Sequence, residues 1–109
     1  MSTSMSYLQY VLEQLSDLED ISYRQMMGEY IIYYKGKIAA YVCDDRLLLK
    51  PVKSAVEMVR EEVYEPPYEG AKPMLLADAD DKELLQSIFE KMYDELPFPK
   101  PKANKTKKT

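Results

Sequence analysis

The sequence predicts a single α+β domain built on an antiparallel sheet, and three observations support this fold class. Residues 7–18 and 80–96 carry apolar side chains at the three- and four-residue steps of amphipathic helices. Between them lie short runs rich in tyrosine, isoleucine and leucine, which strands favour. Lysine-glycine and aspartate-aspartate pairs separate these runs at the spacing of tight hairpin turns. A chain of 109 residues is long enough for one core and too short for two ordinary domains.

The first half of the chain predicts a helix followed by a meander. Residues 7–18 form the first helix, with Ser6 and Gln9 as a capping box. Residues 20–25 are polar and predict a connector. Strands are predicted at residues 29–34, 37–43 and 46–50, so that neighbouring strands run antiparallel.

The middle of the chain predicts a weak helix and an irregular segment. Pro51 ends the third strand and suits the first turn of a helix. The valines of this second helix form one stripe, at Val52, Val56, Val59 and Val63. Because valine is β-branched, the helix depends on its packing. Residues 64–73 contain three prolines and one glycine, and therefore predict an extended, irregular backbone.

The C-terminal part predicts a strand, a helix and a tail. The strand covers residues 74–77, and the last helix has Asp80 and Glu83 at its start. Beyond the helix, proline and lysine alternate without apolar periodicity, which is typical of a disordered tail. The expected organisation is one domain over residues 1–96 and a Pro/Lys-rich tail over residues 97–109.

The residue types exclude several kinds of site. Cys43 is the only cysteine, which excludes an intramolecular disulfide, and the sequence contains no histidine for a zinc site or a histidine-based triad. No stretch approaches the roughly 18 apolar residues of a membrane span, and the first residues lack the features of a secretion signal. We expect a cytoplasmic protein with no metal, no cofactor and no small-molecule substrate.

Charge is distributed unevenly along the chain. All 19 acidic residues and ten of the 15 basic residues precede residue 100, whereas residues 100–109 contain five lysines and no acid. The acidic body argues against a broad surface for nucleic-acid phosphates, because such surfaces depend on neutralising cations.

Side-chain alternation divides the predicted meander into two faces. With two-residue turns at both hairpins, the expected core face contains Ile31, Tyr33, Ile38, Ala40, Val42, Leu47 and Leu49. The opposite face is expected to contain Tyr30, Ile32, Tyr34, Lys37, Ala39, Tyr41, Cys43, Arg46, Leu48 and Lys50. This second face is too apolar to be wholly solvated, and tyrosine with arginine is typical of protein interfaces.

The second face needs a cover, and the sequence leaves three alternatives open. In the first, the proline-rich segment or the last helix folds over this face. In the second, a protein partner or a second copy of the chain binds it. In the third, nucleic-acid bases stack on its tyrosines. The candidate partner-binding residues are Tyr30, Ile32, Tyr34, Tyr41, Arg46 and Leu48.

A family resemblance lies in the same part of the chain. The series Arg24, Met26, Met27, Gly28, Glu29, then Ile32-Tyr33, Gly36-Lys37 and the run from Asp44 to Lys50, resembles the N-terminal domain family of the TfoX/Sxy competence regulators. Met27 stands where phenylalanine is usual in the family, and Leu48 stands where tyrosine is usual. The resemblance is to short, stand-alone bacterial members. It implies an α+β fold of the order α-β-β-β-α-β-β-α, similar to the secretion-chaperone-like folds. The family-motif residues are Arg24, Met26, Gly28, Glu29 and Lys50.

Two functions of different classes remain. The leading hypothesis is a non-enzymatic regulatory module that binds a protein partner or forms a homodimer, since the resemblance does not include the second domain involved in competence gene activation. The alternative is nucleic-acid binding by Tyr30, Tyr34, Tyr41 and Arg46 with the tail lysines Lys100, Lys102, Lys105, Lys107 and Lys108. An enzyme that uses carboxylates or Cys43 is least favoured, because no histidine is present to act as a base.

Overall fold

A computed structural model describes residues 4–26 and 28–97 and confirms the α+β class. Its elements are α1 (Met5–Gln14), β1 (Ile21–Met26), β2 (Glu29–Tyr34), β3 (Lys37–Cys43), β4 (Arg46–Leu49), α2 (Lys53–Met58), β5 (Tyr64–Glu65), β6 (Met74–Ala77) and α3 (Lys82–Met92), followed by a 3-10 turn (Tyr93–Glu95). The strands form one antiparallel sheet in the order β1-β2-β3-β4-β6-β5. Apolar residues of all three helices join one buried cluster with the sheet. The predicted tail beyond Pro97 lies outside the described residues.

Two tight turns set the register of the central strands. Lys35 and Gly36 have φ of 50° and 84°, and Asp44 and Asp45 have φ of 52° and 56°. Positive φ at both central positions is typical of type I′ turns, whose twist matches that of antiparallel strands. As expected from the sequence, Tyr34 pairs with Lys37 and Cys43 pairs with Arg46.

β1 occupies the region where the sequence predicted a polar connector, and that prediction is wrong. The strand pairs with β2 along its whole length, from Ile21 opposite Tyr34 to Met26 opposite Glu29. Five of its six residues are exposed, since it lies at the edge of the sheet. An edge strand solvated on both faces has no apolar alternation to reveal it. The chain therefore has one strand more than the order implied by the resemblance.

A bulge in β3 decides which side chains of β2 face the core. The register shifts between the pairs Ile32–Ala40 and Tyr33–Ile38, so Ala39 is the extra residue on its strand. Side-chain alternation along β3 is interrupted there, and Ala39 and Ala40 are both fully buried.

The predicted faces of β2 are wrong, because the prediction assumed a regular pairing without this bulge. Tyr30, Ile32 and Tyr34, expected on the outer face, are buried in the cluster shared with the helices. Ile31 and Tyr33, expected in the core, lie on the other side because alternate residues of a strand face opposite ways. On β3 and β4 the expected core residues Ala40, Val42, Leu47 and Leu49 lie in the core. Ile38, also expected there, precedes the bulge and pairs with Tyr33, so it lies on the other side of the sheet.

Lys37 also lies on the helix side of the sheet, opposite Tyr34, rather than on the predicted outer face. Its side chain is only 7% exposed. The ammonium group donates to the Tyr93 carbonyl at 2.9 Å and lies 4.0 Å from the centre of the Tyr93 ring. Lys37 thus joins the turn between β2 and β3 to the end of α3, and its cation is stabilised by the carbonyl and the ring.

Side-chain caps begin the first and last helices. The Ser4 hydroxyl accepts from the Tyr7 N–H at 3.2 Å, so α1 begins earlier than the predicted Ser6 capping box. Asp81, rather than the predicted Asp80, accepts from the Leu84 N–H at 3.1 Å at the start of α3.

The second helix is shorter than the valine stripe predicted. It ends at Met58, and Val59 already has the extended φ and ψ of −68° and 150°. Valine gives little intrinsic helix stability, so the helix does not persist to Val63.

The core assignment generates a stability prediction at Phe89. This side chain is fully buried, and its ring centre lies 6.2 Å from that of Tyr34. Phe89→Ala is expected to lower the free energy of unfolding by about 3–5 kcal/mol, because it removes apolar contacts and leaves a cavity. Denaturant unfolding measures the change. Glu90→Ala, at the adjacent exposed position, is the control and should change the free energy by less than about 0.5 kcal/mol. Equal effects of the two substitutions would contradict the core assignment.

Candidate functional site

The candidate site lies on the face of the sheet away from the helices, called here the outer face. The registers and the two buried clusters assign side chains to it. Its residues are Ser22, Arg24, Met26, Glu29, Ile31, Tyr33, Ile38, Tyr41, Cys43, Arg46, Leu48, Glu65, Met74 and Leu76. Cys43, Leu48 and Met74 form a second, smaller buried cluster with Tyr41 and Leu76 packed against it. The outer face is therefore largely apolar but only partly covered.

At one end of the outer face, the Arg46 guanidinium group links two segments of the chain. The Arg46 side chain forms an ion pair with Glu65. Its Nε donates to the Cys43 carbonyl at 3.3 Å, and one terminal nitrogen donates to the Pro66 carbonyl at 3.4 Å. These contacts join the turn between β3 and β4 to the start of the proline-rich segment. Arg46 is consequently an anchor for that segment in this structure.

The proline-rich segment, residues 66–73, is called here the strap. Pro67 is buried, and the strap leaves a cleft of about 330 Å³ against the sheet. The name aromatic cleft is used for this space, which is lined by Tyr41, Lys50, Pro51, Pro67, Tyr68, Ala71, Lys72, Pro73 and Met74. The chain's own segment thus supplies part of the cover that the outer face requires.

The chemistry of the aromatic cleft is that of a binding surface. Tyr68 is 56% exposed, whereas Tyr41 is partly buried beside it. Burial raises the pKa of Tyr41, and nearby Tyr68 raises it further, so the hydroxyl stays protonated at neutral pH. Lys50 and Lys72 add two cations to walls made of rings and prolines. Such walls suit an apolar side chain that is accompanied by a negative charge.

Cys43 is a packing residue in this arrangement. It is fully buried, and burial raises the pKa of its thiol to about 12, with the Glu29 carboxylate adding to the increase. The positive charge of Arg46 lowers the pKa of Cys43, but by less than burial and Glu29 raise it. Because the thiolate is the nucleophilic form, a buried and protonated Cys43 is unsuited to covalent chemistry at neutral pH.

The six predicted partner-binding residues are divided between the two faces. Tyr30, Ile32 and Tyr34 lie in the core, which removes them from any surface. Tyr41, Arg46 and Leu48 lie on the outer face, where Leu48 is fully buried. Only Tyr41 and Arg46 of the six retain partial exposure there.

Sequence reasoning missed Tyr68 and Lys72, which it placed in an irregular segment. The signal that points to Tyr68 is the pair Pro66-Pro67 immediately before it. Consecutive prolines fix an extended backbone and therefore hold the following ring in a limited set of positions.

The family-motif residues surround the outer face. Arg24 and Met26 lie on β1, opposite Ile31 and Glu29 of β2. Gly28 has φ of 83°, a conformation that glycine adopts at little cost in the connection between these strands. Lys50 lines the aromatic cleft, and its N–H donates to the carbonyl of the bulge residue Ala39 at 3.0 Å.

The base-stacking surface predicted on the sheet is not formed. Tyr30 and Tyr34 are buried in the core, and Arg46 is engaged with Glu65 and Pro66. The five tail lysines lie outside the described residues, so their binding of nucleic acid stays a prediction.

Two general properties concern the described parts of the chain. Over residues 4–26 and 28–97, no helix has the length and apolar character needed to cross a membrane. Within the same residues, cysteine and carboxylate side chains form no group of three or more arranged to hold a metal ion.

Comparison with known proteins places these features in a family context. Residues 13–95 match the sequence model of the TfoX N-terminal domain. A protein of Spirochaeta aurantia, described as an uncharacterized 12.7 kDa protein in the trpE 5′ region, is 33% identical over 109 residues. That alignment covers 98% of this chain and 95% of the relative. No solved structure matches the chain.

The environment of Cys43 predicts slow thiol chemistry in the folded chain. Native Cys43 is expected to react with a disulfide reagent such as DTNB at least about 100-fold more slowly than in the urea-unfolded chain, because it is shielded and protonated. Its reaction should remain slow from pH 7 to pH 9, because both values lie far below about 12. The unfolded thiol should accelerate over that interval, since its pKa is close to 8.5. Similar native and unfolded rates would contradict the buried environment.

The contacts of Arg46 predict that it restrains the strap. Arg46→Ala should speed amide hydrogen exchange in residues 68–72, because the substitution removes the links to Glu65 and Pro66. Exchange in α3 should stay slow. Arg60→Ala is the matched control, since Arg60 also pairs with a carboxylate, that of Asp81, but outside the strap. Unchanged exchange in the strap of Arg46→Ala would show that Arg46 is not its anchor.

Proposed function

The chain belongs to the TfoX N-terminal domain family, and on that premise we propose that it is a regulatory module that acts by binding a protein, without catalysis. The observation that carries the proposal is the aromatic cleft, where the exposed Tyr68 stands beside Tyr41 and two lysines. The proposed setting is the bacterial cytoplasm, where a single unpaired cysteine is compatible with reducing conditions.

The walls of the aromatic cleft favour binding at a low entropic cost. Tyrosine presents a large contact area with only two side-chain torsions, and prolines lose little freedom on binding. Arg46 holds the start of the strap through Glu65 and Pro66, so part of the cleft is organised before a partner arrives. Preorganisation of this kind increases affinity because less ordering remains to be done in the complex.

Charge selects the kind of partner. Residues 1–99 contain 19 acidic and ten basic residues, so the body as a whole repels an acidic molecule. Lys50 and Lys72 form a local exception at the aromatic cleft. We therefore propose that the partner presents an extended acidic segment with an apolar or aromatic side chain, which enters the cleft while its carboxylates meet the lysines.

The burial and raised pKa of Cys43 support the part of the proposal that assigns the chain no catalytic role. Cys43 is the strongest nucleophile in the sequence by residue type, yet it is buried and its pKa is about 12. The aromatic cleft contains tyrosine and lysine but no carboxylate side chain to act as a general base.

The proposal is tested by changing the aromatic cleft at two exposed positions. Proteins captured from the native cytoplasm are compared for the wild-type chain, Tyr68→Ala/Lys72→Glu and the control Tyr64→Ala/Lys91→Glu. The control changes another exposed tyrosine and another exposed lysine, both outside the cleft. A partner of the cleft should be retained by the wild type and the control and lost from the cleft variant.

Binding to a purified candidate then decides the proposal. Titration calorimetry should show 1:1 binding per chain that weakens at least about tenfold, or 1.4 kcal/mol, in Tyr68→Ala/Lys72→Glu. Addition of salt should weaken the wild-type complex, because Lys50 and Lys72 face carboxylates in it. Equal binding by the cleft variant and the control variant would refute the aromatic cleft as the site.

A further inference from the structure

The two edge strands of the sheet, β5 and β1, differ in length and in amino-acid composition. β5 is only two residues long, and Pro66 and Pro67 follow it directly. Short edge strands and prolines are the usual means of preventing further strand addition. β1, at the other edge, has six residues, Ile21–Met26, and contains no proline, glycine or lysine. One edge is blocked, and the other is open to a further strand.

The outward backbone groups of β1 are identified by the strand register. The Lys35 N–H donates to the Asp20 carbonyl at 2.9 Å, so the backbone of Asp20 faces β2. Because these directions alternate along an antiparallel strand, the backbones of Ser22, Arg24 and Met26 also face β2. The N–H and C=O groups of Ile21, Tyr23 and Gln25 point away from the sheet.

We infer that β1 pairs antiparallel with β1 of a second copy of the chain, with Tyr23 on the two-fold axis, so that two sheets join into one of twelve strands. This surface is separate from the aromatic cleft and does not depend on the proposed function. In this register Tyr23 lies opposite Tyr23 of the second copy, and Ile21 lies opposite its Gln25.

The hydrogen bonds favour this register over its neighbours. A two-fold axis perpendicular to the sheet pairs residues that lie on the same face. With Tyr23 on the axis, the outward N–H and C=O groups of Ile21, Tyr23 and Gln25 all pair, which gives six hydrogen bonds across the interface. With Arg24 on the axis, only Tyr23 and Gln25 pair, which gives four, and two arginines lie directly opposite each other.

The side chains of β1 agree with self-pairing. Tyr23 is 45% exposed, and its ring packs edge-on against Tyr30 with 5.8 Å between the ring centres. Two Tyr23 rings would meet at the axis on the helix side, each supported by a Tyr30. On the outer face, Arg24 would lie opposite Ser22 of the second copy, so no like charges meet. Because the β5 edge of each sheet is blocked, two copies that pair through β1 form a closed two-fold dimer that cannot extend further.

The interface joins two short strands, so we expect moderate affinity, with a dissociation constant of roughly 1–100 µM. Sedimentation equilibrium of the full chain from about 1 to 500 µM measures it. Tyr23→Pro removes an outward N–H while leaving the groups that face β2, and it should raise the dissociation constant at least tenfold. The control Tyr68→Ala, at an exposed tyrosine of the aromatic cleft, should leave dimerisation unchanged.

Disulfide cross-linking provides a second test of the β1 pairing, which applies even if Tyr23→Pro fails to fold. Directly opposite residues of a hydrogen-bonded antiparallel pair have Cα atoms about 5.5 Å apart, within disulfide range. Mild oxidation of Tyr23→Cys should therefore give a covalent dimer, whereas Tyr64→Cys on β5 should not. A wild type that stays monomeric throughout, a Tyr23→Pro chain that dimerises as well as wild type, or equal cross-linking at positions 23 and 64 would each overturn the inference.

Discussion

The extra residue at Ala39 is the constraint on which the rest of the structure depends. Without a bulge, the two tight turns would place Tyr30 opposite Tyr41, so that Tyr30, Tyr34 and Tyr41 would share one face of the sheet. With it, Tyr30 lies opposite Val42, and Tyr30, Ile32 and Tyr34 enter the core beneath the helices. The Ala39 carbonyl remains bonded because it accepts from the Lys50 N–H at 3.0 Å. The bulge thus separates the tyrosines that stabilise the fold from those left for binding.

The division of tyrosines explains how an apolar outer face remains partly open. Cys43, Leu48 and Met74 are buried in the smaller cluster, and Pro67 of the strap is also buried. The strap leaves Tyr68 exposed beside Lys72. The aromatic cleft lies toward the β5 side of the sheet, whereas β1 lies at the opposite edge. In the proposed dimer the two clefts would lie far apart on a common sheet, which suits simultaneous binding of two partner segments.

The sequence predicted those features that local chemistry determines. The lysine-glycine and aspartate-aspartate turns specify their own conformation, and the apolar stripes of α1 and α3 specify their buried sides. β1 was missed because solvation on both faces leaves it without apolar alternation. The faces of β2 were exchanged because a one-residue bulge at an alanine has no distinctive sequence signal, yet it reverses the faces of the residues before it relative to those after it. In the aromatic cleft, Tyr41 was predicted from alternation, whereas Tyr68 depends on the path of the strap across the sheet.

The division of the tyrosines between the core and the outer face is tested most directly by the pairing of β2 with β3 in solution. Nuclear Overhauser contacts between backbone protons of opposite residues measure this pairing. The bulge predicts cross-strand contacts of Tyr30 with Val42 and of Ile32 with Ala40, together with contacts between the Tyr30 ring and helix side chains. A regular ladder, with Tyr30 opposite Tyr41 and Ile32 opposite Ala39, would contradict it and return Tyr30 and Tyr34 to the same face as Tyr41.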